Sequence, residues 1–326
     1  MKPPVWLAPA LTPLLAAAWL CIGCDKTSTA APVLGAFGET GLGPGQFSYP
    51  RAAAVGKDGR VYIVDKSARI QCYEPDGRFV RDWRMPEHAA GKPTGLGVGP
   101  DGRIYVADTH YFRVIVFEPD GREAARFGGQ GTGPGQFMLP TDVAVAPDGR
   151  IYVAEYGGHD RISVFSPSFA HLFSFSRRGT GPGELERPQS LLFGPDGALW
   201  VADACNHRIC RFAPDGGYLG SFGRSGTALG ELRFPYGLDW LPDGTLVVAE
   251  YGNNRVQRFD QAGNSLGLWG TPGRHVGQLA YPWAVAAVAD NRLLVIDSGN
   301  NRVQILAGLG HNTWRSPAAG QARSAP

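Results

Sequence analysis

Charge is scarce in this 326-residue chain. Charged residues make up 18%, and 31 basic against 29 acidic leave a balance of only +2. That excludes a polybasic nucleic-acid binder and an acidic tail, so no nucleic-acid partner is expected. Catalytic signatures are missing as well: there is no G-x-S-x-G elbow, no H-E-x-x-H and no C-x-x-C-H haem site. Gly-rich stretches such as Gly131-Thr-Gly-Pro-Gly135 lack the Lys and the following helix of a phosphate cradle, so they read as turns. What the chain has in quantity is Gly (46) and Pro (26), on a background 43% hydrophobic and 11% aromatic. That is too apolar for disorder and suits many tight turns between short strands, an all-β fold.

The first residues stand apart. One charge, Lys2, precedes an uncharged stretch of 19 residues from Val5 to Gly23, broken by Pro9 and Pro13. A basic start, a short apolar run and a small residue before the first acid describe a secretory signal over residues 1–23. Ile22-Gly23-Cys24 resembles the lipobox of bacterial lipoproteins, although Cys21 stands where that family usually has Leu. The resemblance implies lipidation at Cys24, a tether over 24–32 and a membrane-anchored protein outside the cytoplasm. Ordinary cleavage, giving a secreted protein, and an uncleaved anchor are the alternatives.

Beyond the tether the chain repeats. Prolines at 50, 93, 140, 188, 235 and 282 are spaced by 43, 47, 48, 47 and 47 residues. After each comes a strand of small residues, then a turn such as Asp58-Gly59 or Asp290-Asn291, read as a two-residue hairpin. A second strand ends in an acid, and a short loop leads to an arginine that opens the third: Asp65/Arg69, Asp108/Arg113, Glu155/Arg161, Asp203/Arg208, Glu250/Arg255 and Asp297/Arg302. An acid and an arginine present in every repeat are expected to brace it, not to catalyse. Fourteen residues beyond the first five arginines stands an aromatic in a fourth strand: Trp83, Phe127, Phe175, Phe222 and Trp269. Four strands, a to d, repeated at this period predict a β-propeller.

The sixth repeat has no fourth strand, but Val33-Leu-Gly-Ala-Phe37-Gly38 reads like Tyr218-Leu-Gly-Ser-Phe222-Gly223. The N-terminal strand should therefore complete blade six and close the ring, removing an exposed edge. The expected domain is a six-bladed propeller over 33–306, followed by a disordered tail over 307–326. Cys72 falls in blade one and Cys205 and Cys210 in blade four, too far apart for disulfides, so free thiols are expected. Pro-x-x-x-Ala/Val, Asp-Gly-Arg-Ile-Tyr-Val-Ala-Asp and Asn-x-Arg-Ile/Val, with Gly133-Pro-Gly-Gln-Phe137 ahead of the proline, closely resemble the NHL repeat. The resemblance implies the fold. It leaves function open, because propellers of that family host lyases, RNA binders and interaction scaffolds.

Strand alternation puts the b–c and d–a loops on one face, and those loops vary most between repeats, so that face is the candidate site. The residue after each opening proline varies freely: Arg51, Thr94, Thr141, Gln189, Tyr236 and Trp283. Blades five, six and one are contiguous, so Tyr236, Trp283 and Arg51 should form an arc at the channel mouth, the composition of a binding hot spot. His110, Tyr156 and His159 in the b–c loops extend the candidate surface. The expected partner is a protein, peptide or glycan bound by a monomer without a cofactor.

A rival reading is a metal-dependent lyase or hydrolase. His110, His159 and His207 fall in adjacent b–c loops, and Asp142 and Asp239 are polar intruders among the small residues of strand a. Together they would suit a divalent metal such as Zn or Ca. The peptide-amidating lyase family, related by fold, carries its zinc histidines directly after the opening proline, and none of the six positions here is His. Its catalytic Tyr position is occupied by Gly157 and Ala204, with Tyr156 displaced by one.

Overall fold

The computed structural model describes residues 33–307 and 314. The signal over 1–23 and the lipidated Cys24 with its tether lie outside the described residues, as does the tail over 307–326 apart from 307 and 314. Trp314 is 4% exposed and packs with Leu241, Val247 and Trp269, with the Arg258 guanidinium 6.0 Å from its ring.

Six four-stranded antiparallel sheets form the ring. Their innermost strands are Pro50–Val55, Gly95–Val98, Leu139–Val145, Pro188–Phe193, Pro235–Trp240 and Ala284–Val288. Blade six takes three strands from the C-terminal end and its outermost strand, Val33–Phe37, from the N-terminal end. Phe37 sits opposite Val303 and Ala36 opposite Gln304, so the ring closes three plus one as the repeats predict.

Strand b of each blade is buried on both faces, and the core is therefore distributed between blades. One cluster joins Tyr62, Ile70 and Trp83 of blade one to Leu96, Ile115 and Phe117 of blade two; another joins blade six to blade one. The strand d aromatic is the recurrent wedge. Phe127 meets Phe165 of the next blade at 4.8 Å, Phe175 meets Phe212 at 5.3 Å and Phe222 meets Phe259 at 5.0 Å. Phe37 meets Tyr73 at 4.8 Å, which makes the closing strand equivalent to the other five. Cys72 and Cys210 are buried free thiols in these seams, and burial pushes Cys210 up to about 12.

Around the axis, backbones nearly touch. A Cβ on Gly97 would stand 2.2 Å from the Val143 carbonyl oxygen of the next blade, which explains the small residues of strand a. The a–b turns depart from expectation in five blades. Gly56 N–H donates to Arg60 O at 2.7 Å around a three-residue loop in which Gly59, and not Asp58, takes positive φ. Asp58 stays right-handed because its carboxylate accepts the Arg60 N–H. Only Asp290-Asn291 has both residues at positive φ, 63° and 58°, as a tight two-residue hairpin requires.

Candidate functional site

The six acids that end strand b are fully buried. Each meets its arginine, for example Asp203 with Arg208 at 2.7 Å and Asp297 with Arg302 at 2.7 Å. The brace reaches further than the b–c loop. Arg208 also donates to the carbonyls of Thr180, Gly181 and Glu184 in the Gly-rich d–a loop, and Asp203 accepts the Glu186 N–H at 2.7 Å. These loops are turns clamped by their arginines. Blade two is the exception, because the loop before it is shorter. Asp108 keeps its Arg113 partner at 3.0 Å, but its Oδ1 has none, and burial pushes its carboxyl up to about 6.

This scaffold fixes the loop face around the axial channel, a cavity of about 350 Å³ walled by strand a of all six blades. A register shift follows the opening proline in blades one, three, four and five. A bulge re-aims side chains, and Arg51, Gln189 and Tyr236 duly line the cavity, as does Trp283. Thr141, by contrast, is fully buried and donates to Pro188 O at 2.6 Å.

The arc is assembled. Tyr236 and Trp283 meet edge to face at 4.8 Å, and the Arg51 guanidinium lies 5.0 Å from the Trp283 ring centre. Tyr236 and Trp283 are only 6% and 9% exposed, so they form the floor of the mouth more than its open surface. Three members were not anticipated. Tyr251 stacks on Tyr236 at 4.6 Å, Tyr49 meets Trp283 at 5.8 Å, and their hydroxyls are 3.2 Å apart. Arg187 lies 5.1 Å from the Tyr156 ring, which brings Tyr156 to the same rim.

Tyr49, Arg187, Phe234 and Tyr281 each precede an opening proline, and all four have φ between 50° and 56°. Residues before proline favour extended backbone, and a non-Gly residue at positive φ is uncommon anywhere. The conformation is held from the preceding blade. The N–H of Tyr49 donates to Asn301 Oδ1 at 2.6 Å, Arg187 to Asp160 Oδ2 at 2.7 Å, Phe234 to His207 Nδ1 at 3.0 Å and Tyr281 to Asn254 Oδ1 at 2.7 Å. Each acceptor stands immediately before a b–c arginine, a pattern visible in the sequence once the pairing is known.

The pattern assigns His207 a structural place. Its Nδ1 accepts the Phe234 N–H, its ring lies against Phe234 at 4.6 Å, and burial lowers its pKa, which favours the neutral ring that bond requires. His110 and His159 are exposed. Partial desolvation, with help from the Lys92 and Arg51 charges, lowers the His110 pKa as well.

Asp142 and Asp239 line the channel, and each carboxylate reaches across a seam. Asp142 accepts the Leu191 N–H at 2.9 Å, and Asp239 accepts the Ala287 N–H at 2.7 Å. Burial pushes them up to about 7 and about 6. Among the described residues no group of three His, Cys, Asp or Glu side chains is placed to hold a metal, and His110, His159, His207, Asp142 and Asp239 do not converge.

Comparison with solved structures returns propellers. A streptogramin B lyase matches over 85% of this chain and 87% of its own, with a TM-score of 0.59 and 18% identity. A catalytically inactive virginiamycin B lyase from Staphylococcus aureus, solved with quinupristin, matches over 82% and 87% at 0.59 and 21%. A protein described as a putative gluconolactonase matches over 83% and 92% at 0.61 and 16%. At such identities the likeness is one of fold. The model of the NHL repeat matches residues 91–117, 137–165, 185–212 and 279–306, which fall in blades two, three, four and six. The chain is a six-bladed β-propeller that carries NHL repeats in blades two, three, four and six.

Proposed function

We propose that this propeller is a non-catalytic binding module, held outside the cytoplasm by a lipid anchor at Cys24. It presents its b–c/d–a face to a protein, peptide or glycan. The observation that carries the reading is the mouth itself: Tyr236, Trp283 and Arg51, from three contiguous blades, come together at its floor. Aromatic and arginine side chains dominate binding hot spots because they bury large area at low entropic cost and offer directed donors. His110, Tyr156 and His159 extend the surface across blades two and three.

A photo-crosslinking residue in place of Tyr281, which is 50% exposed at the rim, should trap a discrete partner in cells. The same residue in place of Asp101, on the a–b turn face, should trap none. Equal crosslinking from both faces overturns the reading.

The rival, a metal-dependent lyase or hydrolase, draws on Asp142 and Asp239, two channel acids whose carboxyls sit at about 7 and 6. Stoichiometric zinc or calcium lost with Asp142→Ala and His110→Ala would favour it over the binding module.

A further inference from the structure

The mouth contains buried polar atoms that the protein leaves unused. Gln189 is 5% exposed and lines the cavity, yet its amide oxygen has no hydrogen-bond partner. Nε of Arg51 and Nε of Arg187 are buried without a partner too. Among the described residues neither guanidinium has a carboxylate at ion-pair distance; Arg51 donates only to the Lys92 carbonyl at 3.2 Å. Burial lowers the Arg51 pKa, and the Arg187 charge pushes the same way. A guanidinium drawn partly out of water without a counter-ion is costly, and an anion beside Arg51 removes that cost.

Below the rim the wall changes character. Leu96, Val143, Leu191 and Leu238 face the cavity among alanines and glycines. The two acids there already accept N–H groups from the next blade. Nothing at that depth matches a second charge. The cavity, about 350 Å³, falls within the range of small-ligand sites.

We propose that the mouth takes an organic carboxylate with an apolar tail. The carboxylate lies against Arg51 beside the Gln189 amide, and the tail enters the channel among Leu96, Val143, Leu191 and Leu238. The proposal rests on the binding-module reading and names its ligand. A guanidinium fork matches the two oxygens of a carboxylate, and turning the Gln189 amide over presents an N–H to the same group. Two sources carry this chemistry: a free short-chain acid, and the C-terminal residue of a peptide.

Calorimetric titration of the full chain with hexanoate, acetyl-Gly-Leu bearing a free carboxylate, its C-terminal amide and inorganic phosphate tests it. At least one acid should bind, at least tenfold more weakly to Arg51→Gln, while the amide and phosphate do not. Binding of hexanoate alone identifies a free acid, and binding of the peptide acid alone identifies a peptide end. Failure of both acids, equal binding of the amide or phosphate, or an unchanged affinity in Arg51→Gln overturns the proposal. Should Arg51→Gln not fold, a diazirine at the tail of a hexanoate analogue should label the channel wall of the natural protein, and labelling elsewhere overturns it. If both acids fail while crosslinks from position 281 persist, the ligand class falls and the binding module stands; loss of both removes both.

Discussion

His207 shows how much of the rim depends on single acceptors. Its Nδ1 holds the Phe234 N–H, as Asn301, Asp160 and Asn254 hold the matching N–H at three other seams. Replacing it by Ala leaves a half-buried donor unpaired on a residue at positive φ and should cost about 1 kcal/mol. His207→Asn, which restores the acceptor used in two other blades, should recover most of that loss in urea denaturation. Equal destabilisation by both substitutions would show that ring packing on Phe234 matters more than the hydrogen bond. At this scale the sequence was only partly legible. Arg51, Tyr236 and Trp283 could be placed because the repeat frame gives each the same offset from its proline. Tyr49 and Arg187 could not, because their approach depends on a left-handed conformation ahead of proline, which local preference argues against.

At the level of the blade, the frame was legible almost throughout, since the turns, the acid and arginine, and the strand d aromatic recur in register. The three-residue form of five a–b turns was not, because Asp-Gly fits both loop lengths and the choice is made by bonds such as the one the Arg60 N–H donates to Asp58 Oδ1. The equivalence of the closing strand leads to a test. Phe37 fills the seam between blades six and one against Tyr73 and Phe47. Phe37 is half-buried, so Phe37→Ala should destabilise by about 2 kcal/mol, somewhat below the cost of truncating a fully buried Phe. Removing residues 33–38 should do more, leaving blade six with a bare edge and broadening the thermal transition. A truncated chain that melts as sharply and no earlier would contradict the closed ring.

Taken as one molecule, the propeller hides acids that cannot easily ionise. Asp142 sits at about 7, Asp239 and Asp108 at about 6, each pushed up first by burial. In the unfolded chain all three return to the ordinary value near 4. Between about pH 4 and 7 the native state then binds more protons than the unfolded one, so stability falls as pH rises through that window and levels off above it. The melting temperature should be higher at pH 5.5 than at pH 8. Asp142→Asn, which keeps an acceptor for the Leu191 N–H, should flatten the dependence between pH 5 and 7. A melting temperature that climbs from pH 5.5 to 8 would refute the assignment.

Sharing blade six between the two chain ends also sets an order of events during synthesis. The segment Val33–Phe37 leaves the ribosome before every other strand of the ring, and its hydrogen-bonding mate, Arg302–Leu306, leaves after them. Until that last strand emerges the leading strand has no companion in its sheet, and the ring stays an open arc with two unpaired flanks. Such late, long-separation pairing slows maturation and exposes the nascent chain to misassociation.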